Sequence, residues 1–137
     1  MARYLHALVG LMCVLCSGPA MAGQWSTSYG SMTLPDAATS TELRAPYADD
    51  NGRIIGRMLQ PKCPNCGVIV TGVWVETGSA KTCDSIKDGS RHWGNVDFKF
   101  NPEYTAFQGT WDYCGQGGKK SWTGKFGKGG VRRRGNK

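Results

Sequence analysis

Gly-x-Trp occurs three times in the chain, as Gly23-Gln24-Trp25, Gly72-Val73-Trp74 and Gly109-Thr110-Trp111. Each copy opens or closes a segment in which apolar and polar residues alternate, the period of a half-buried strand. The recurrence predicts an all-β chain. Only Ser85 to Lys87 could form a single helical turn, because nothing else has amphipathic helical spacing.

Read in order, the segments form a meander. Gln24 to Leu34 reads as one strand bent or bulged at Gly30-Ser31. Thr41 to Tyr47 reads as an edge strand, since Pro46 cannot donate to a ladder. Asp49-Asp50-Asn51-Gly52 is a hairpin turn, followed by Arg53 to Leu59 with Ile54 and Met58 on one face. Val68 to Glu76 is the most β-branched stretch and the candidate central strand. Trp93 to Phe100 turns Val96, Phe98 and Phe100 inward, Tyr104 to Tyr113 returns beside it, and Trp122 to Phe126 is last. Strands at this spacing predict a single-domain antiparallel up-and-down meander, closing into a small barrel or sandwich of about 7–8 strands. Trp74, Phe98, Phe100, Phe107 and Trp111 face inward and are bulky. Such an interior leaves little space for a ligand cavity of about 300 Å³ or more.

Residues 1–22 are set apart as a cleaved signal peptide. Arg3 gives a positive start, Leu5 to Leu15 an apolar run about half the ~20 residues of a membrane span, and Ala20-Met21-Ala22 a small-x-small cleavage site. The expected location is periplasmic or extracellular. That leaves Cys63, Cys66, Cys83 and Cys114 in an oxidising compartment, where they are disulfide candidates with three pairings open. Cys63-Pro64-Asn65-Cys66 has the spacing of a redox motif. It is followed by the β-branched run 67–71 and not by the helix that lowers such a thiol's pKa. A zinc site would need a second close pair, whereas Cys83 and Cys114 are isolated.

Charge is divided unevenly. Residues 23–114 carry a net charge of −2, and residues 115–137 carry +8 with no acidic residue. The basic set is Lys119, Lys120, Lys125, Lys128, Arg132, Arg133, Arg134 and Lys137. Residues 23–126 form the expected domain. Residues 127–137, nearly all Gly, Lys and Arg, form the expected disordered tail. Such an arm suits anionic polymer or lipid headgroups, or merely aids solubility.

No residue set has the spacing that a particular chemistry requires. His92 is the only histidine beyond the signal segment, and no serine motif supports a Ser-His-Asp arrangement around it. Asp84 and Asp88 lack the spacing of a calcium loop. The expectation is a non-enzymatic domain without metal or cofactor. His92 and Trp93, beside a polar loop, are its candidate pocket or contact residues. Two binding classes follow: a module contacting an envelope or secreted protein, and a carrier of a small ligand. A third reading is a structural tether acting through the tail.

Gly23-Gln24-Trp25 resembles the Gly-x-Trp signature of the calycin group, which includes lipocalins, avidins and small bacterial metalloprotease inhibitors. The resemblance implies a barrel in which Trp25 plugs one end beneath Lys125, and it brings no ligand residues with it. More of the chain is similar to small exported bacterial proteins of unassigned role that repeat Gly-x-Ile-x-Gly and Phe-x-Gly-x-Trp. Here those repeats are Gly52-Arg53-Ile54-Ile55-Gly56 and Phe107-Gln108-Gly109-Thr110-Trp111.

Overall fold

The computed structural model describes residues 23–37, 40–48 and 51–127. Residues 1–22, expected as a signal peptide, and residues 128–137 of the expected tail lie outside them. Eight strands follow one another: β1 Gly23–Thr27, β2 Gly30–Leu34, β3 Glu42–Tyr47, β4 Gly52–Leu59, β5 Ile69–Glu76, β6 His92–Phe100, β7 Ala106–Trp111 and β8 Lys120–Phe126. Each is antiparallel to the next and β8 pairs with β1, so the meander closes as a barrel, not a sandwich. Closure removes the sheet edges that would otherwise template aggregation.

The β4–β5 and β5–β6 ladders are continuous over eight residue pairs each. The β2–β3 seam is thin: Met32 opposite Tyr47, plus a 2.9 Å bond from the Ala48 N–H to the Ser31 carbonyl. Alternation along the strands sends Ile54, Met58, Val70, Trp74, Val96, Phe98, Phe100, Phe107 and Trp122 into one buried core. Trp74, Val96, Phe98, Phe100 and Phe107 match the inward positions read from the sequence, and Trp111, also read as inward, packs partly buried against the same core.

Three local readings are corrected. Gln24 to Leu34 is two strands, not one bulged strand, because Ser28-Tyr29 makes a two-residue turn. There the Thr27 hydroxyl donates 2.7 Å to the Gly30 carbonyl and accepts the Tyr29 N–H, and Gly30 takes φ 97°. Gly52 is not a turn residue. It already pairs with Tyr47 and Glu76 in the sheet, and its missing side chain makes room for the Tyr47 ring, which a Cβ would overlap. Ser85 to Lys87 is not helical, and Lys87 instead forms a bridge with Ser90.

Strand direction alternates, so the connections fall at two ends. One end carries Gly23, residues 35–37 and 40–41, the loops 60–68 and 101–105, and Gly127. There Trp25, 1 % exposed, meets Phe100, Tyr104, Phe107 and Phe126 at centroid distances of 5.2, 5.1, 5.9 and 5.6 Å. Tyr104 reaches across this end to donate 3.0 Å to the Pro35 carbonyl. Burial, with a smaller contribution from Asp36, holds its phenol pKa well above the usual tyrosine range. Lys125 does not cover Trp25. In β8 it alternates with the inward Trp122 and Gly124, so it is exposed on the outer face, and the position opposite Trp25 belongs to Phe126.

The cysteines pair as Cys63–Cys66 and Cys83–Cys114. Cys63 and Cys66 lie exposed in the 60–68 loop. Cys83–Cys114 joins two loops at the opposite end of the barrel.

Candidate functional site: an aromatic recess at the open end

The second end is formed by the Ser28-Tyr29 turn, by Ala48 and Asn51 between β3 and β4, and by the loops 77–91 and 112–119. It is not plugged. A recess of about 210 Å³ opens there, walled by Tyr29, Tyr47, Trp74, Trp111, Tyr113 and Trp122, with Glu76, Ser79 and Ala80 completing it. Trp74, Tyr47 and Trp122 are buried at its floor, and Tyr29, 40 % exposed, stands at the rim.

The rings meet edge to face. Tyr47 contacts Trp122 at 5.1 Å, Trp122 contacts Tyr29 at 4.9 Å, Tyr29 contacts Trp111 at 5.5 Å, and Trp111 contacts both Trp74 and Tyr113, at 5.6 and 4.9 Å. Interplanar angles of 63–90° make the walls of a box rather than a stack. This geometry suits the ring quadrupoles, whose positive edges meet negative faces. The Trp111 and Trp122 indole N–H groups are buried without hydrogen-bond partners among the described residues.

Glu76 is the one carboxylate among the lining residues. It closes β5 opposite His92 and accepts a 2.7 Å hydrogen bond from the Tyr47 hydroxyl. Burial, then that bond, raise the Tyr47 pKa far above its ordinary value, so the phenol keeps its proton. Two ammonium groups stand nearby. Lys120 lies 5.4 Å from the Trp111 centroid and 5.3 Å from that of Tyr113, and Lys81 lies 5.5 Å from that of Tyr113.

The rim is fastened to the barrel in several ways. His92 does not line the recess; its Nδ1 accepts the Ser79 N–H at 3.0 Å and so sets the wall formed by Ser79 and Ala80. Trp93, expected to border a pocket or contact site, is instead 7 % exposed in a satellite cluster with Val75 and Cys83 on the outer face. Its indole N–H donates 2.9 Å to the Ser85 carbonyl, and the Lys87 ammonium covers its ring at 5.1 Å. Further along the same loop, Asp88 accepts hydrogen bonds from Arg44 and Arg53 on the outside of β3 and β4. The Arg44 and then the Arg53 bond pull its carboxyl pKa down to about 2. Asp112 is buried and accepts the N–H groups of Asn95, Gly115 and Gly117 at 2.8, 3.1 and 3.3 Å, which shapes the 112–119 loop.

The basic residues of the set that are described, Lys119, Lys120 and Lys125, do not converge. Lys119 lies 4.0 Å from Asp97, Lys120 stands at the recess, and Lys125 is at the far end of β8. Lys128, Arg132, Arg133, Arg134 and Lys137 lie outside the described residues. A groove of about 1020 Å³ runs along the outer face past Ser26, Ser28, Gln108, Thr123 and Lys125 and is separate from the aromatic recess. Among the described residues no cluster of His, Cys, Asp and Glu could hold a metal ion, and no helix is long and apolar enough to cross a membrane.

Tyr29, Tyr47, Glu76, Ser79, Tyr113 and Trp122 were not singled out as site residues by the sequence. The spacing signals strands, and only the barrel's direction of travel shows that their ends meet. Comparison with protein-family models, curated proteins and solved structures finds no match to this chain.

Proposed function

We propose that the chain is an exported, non-enzymatic binding domain that engages an envelope or secreted partner through the open end of its barrel, taking one compact group of that partner into the recess. The observation that carries this reading is the recess itself, an aromatic box with one carboxylate at the unplugged end. Its volume of about 210 Å³ is below the ~300 Å³ at which carrier pockets for drug-sized molecules begin. A bulky apolar cargo is therefore the poorer occupant. The rim points the same way, because a disulfide, an arginine–aspartate strap and a buried aspartate hold loops that make no part of the main core. Preorganised loops lose less entropy on binding. The basic tail is assigned to anionic surfaces, where it adds a salt-sensitive attraction.

The test is capture from an envelope extract by three proteins: wild type, Ser79→Trp, which fills the recess, and a chain ending at residue 127. A partner held by wild type and lost with Ser79→Trp is expected, with the shortened chain losing only the salt-sensitive part. Equal capture by Ser79→Trp would remove the open end from consideration.

A further inference from the structure

We infer that the recess binds a small zwitterion that leads with a methylated ammonium, while an anionic group a few bonds away stays at the rim with Lys81 and Lys120. The inference rests on the reading of the open end as the binding face.

The ring faces come first. A cation near an aromatic face is attracted by its quadrupole, and quaternary ammonium groups are the ligands that aromatic boxes suit. Trp111 and Tyr113 already hold the Lys120 ammonium over their rings at 5.4 and 5.3 Å. Glu76 adds the opposite charge. One of its oxygens accepts from Tyr47, and the other carries no protein hydrogen bond among the described residues. A neutral apolar occupant would desolvate this carboxylate without compensating its second oxygen.

Hydrogen-bond capacity decides the kind of cation. A primary ammonium brings three N–H donors that need acceptors when buried. The Tyr47 and Ser79 hydroxyls donate to Glu76 and to the Lys81 carbonyl, so what remains to accept is the lone pairs of the lining hydroxyls and the second Glu76 oxygen. A lysine side chain must keep each of its three donors on one of these oxygens or leave it unmet, which is costly away from water. A fully methylated ammonium has no donor to satisfy.

The rim decides the rest of the ligand. Lys81 and Lys120 place two positive charges within about one Debye length of any occupant. They oppose a bare cation and favour one followed by a phosphate or carboxylate. A bare anion would face Glu76.

The experiment titrates the folded, disulfide-intact protein by tryptophan fluorescence and calorimetry. The probes are phosphocholine, glycine betaine, choline, 3,3-dimethylbutanol (the uncharged isostere of choline), N-acetyl-lysine amide and phosphatidylcholine vesicles. Phosphocholine and betaine are expected to bind at least as tightly as choline, and the isostere and the lysine amide about tenfold more weakly than choline, the factor that a desolvated cation–π contact supports. Glu76→Gln should weaken choline and phosphocholine alike. Lys81→Ala with Lys120→Ala should erase the preference for phosphocholine while choline is retained. Vesicle binding assigns the group to a lipid headgroup, and binding of the free compounds alone assigns it to a solute.

Equal affinity for choline and its uncharged isostere, or for choline and the lysine amide, would overturn the inference. So would a folded protein that binds none of the choline-type probes. In that case partner capture sensitive to Ser79→Trp would leave the open end as the binding face, so the two failures are distinguishable.

Discussion

The indole N–H of Trp74 donates 2.8 Å to the backbone carbonyl of Asp112, tying the floor of the recess to the loop that forms part of its rim. Gly94 makes the contact sterically accessible. A Cβ at that position would overlap the Asp112 carbonyl oxygen and lie against the Trp74 nitrogen. Gly94→Ala should lower unfolding stability by about 1–3 kcal/mol, from overpacking and a buried donor without its acceptor. Gly78, where a Cβ meets nothing within 4 Å, supplies the control. Gly78→Ala should leave the urea midpoint almost unchanged.

The two disulfides should contribute unequally. Cys83 and Cys114 are 31 residues apart in sequence, so their bridge removes more loop entropy from the unfolded chain than Cys63–Cys66, with a separation of 3. The chain-entropy relation gives about 3–4 kcal/mol for the longer loop and about half that for the shorter. Cys83 is 3 % exposed, and Cys63 and Cys66 are exposed. Mild reductant should therefore open Cys63–Cys66 first, with a fall in melting temperature about half of that caused by losing Cys83–Cys114. Replacing Cys83 and Cys114 by serine should lower the melting temperature markedly and loosen the 77–91 and 112–119 loops to proteolysis.

Below neutral pH the Asp88 strap should report on itself. Its carboxyl is held at about 2 by Arg44 and Arg53, against an ordinary value of about 3.9. A depressed carboxyl stabilises the fold above its unfolded pKa and loses that contribution as pH falls through the folded one. The melting-temperature difference between wild type and Asp88→Asn should hold steady above about pH 4 and shrink between about pH 4 and 2. A difference that does not change across this window would show that the ion pairs are not coupled to folding.

The parts legible in the sequence were those that depend on alternation alone. Val96, Phe98 and Phe100 face inward because the period along β6 is unbroken, and Ile54 with Met58 follow for the same reason. Turns were read less well where a glycine's purpose was ambiguous. Gly52 follows an asparagine, the usual signature of a hairpin centre, but here it clears space for Tyr47. The recess was not legible, because its residues come from seven strands, turns and loops whose convergence is set by closure of the barrel, a property of no single segment. His92 and Trp93 are neighbours at the start of a strand beside a polar loop, and nothing more in the sequence marks them. Alternation sends them to opposite faces, one behind the recess wall and one into the outer cluster.

Alkaline pH should act through Tyr47. Its raised pKa means that the folded state favours the protonated phenol. A group raised in this way gives stability that is intact below its unfolded pKa, about 10, and is lost as pH rises further. Tyr47→Phe removes that term, so its stability should fall less steeply above about pH 10 than that of wild type. At neutral pH the same variant should be less stable by about 1 kcal/mol, because Glu76 loses a hydrogen bond. Ultraviolet titration provides a second readout, with the Tyr47 phenol ionising only as the barrel unfolds.

Trp25 and Lys125 separate the barrel seen here from the arrangement that the calycin resemblance implies. If a basic side chain covered the plug, removing either residue would unfasten the same end. Trp25 instead packs among four aromatic rings, and Lys125 faces outward. Trp25→Ala should cost about 3–5 kcal/mol by leaving a cavity in the core. Lys125→Ala should stay within about 0.5 kcal/mol of wild type, as surface substitutions usually do. Phe126→Ala discriminates further: Phe126 is 56 % exposed yet lies 5.6 Å from Trp25, ring to ring. Loss of that contact should cost about 0.5–1.5 kcal/mol, the range for an aromatic pair. If Lys125→Ala proved the more damaging of the two, the basic cover would be restored and the outward placement of Lys125 refuted.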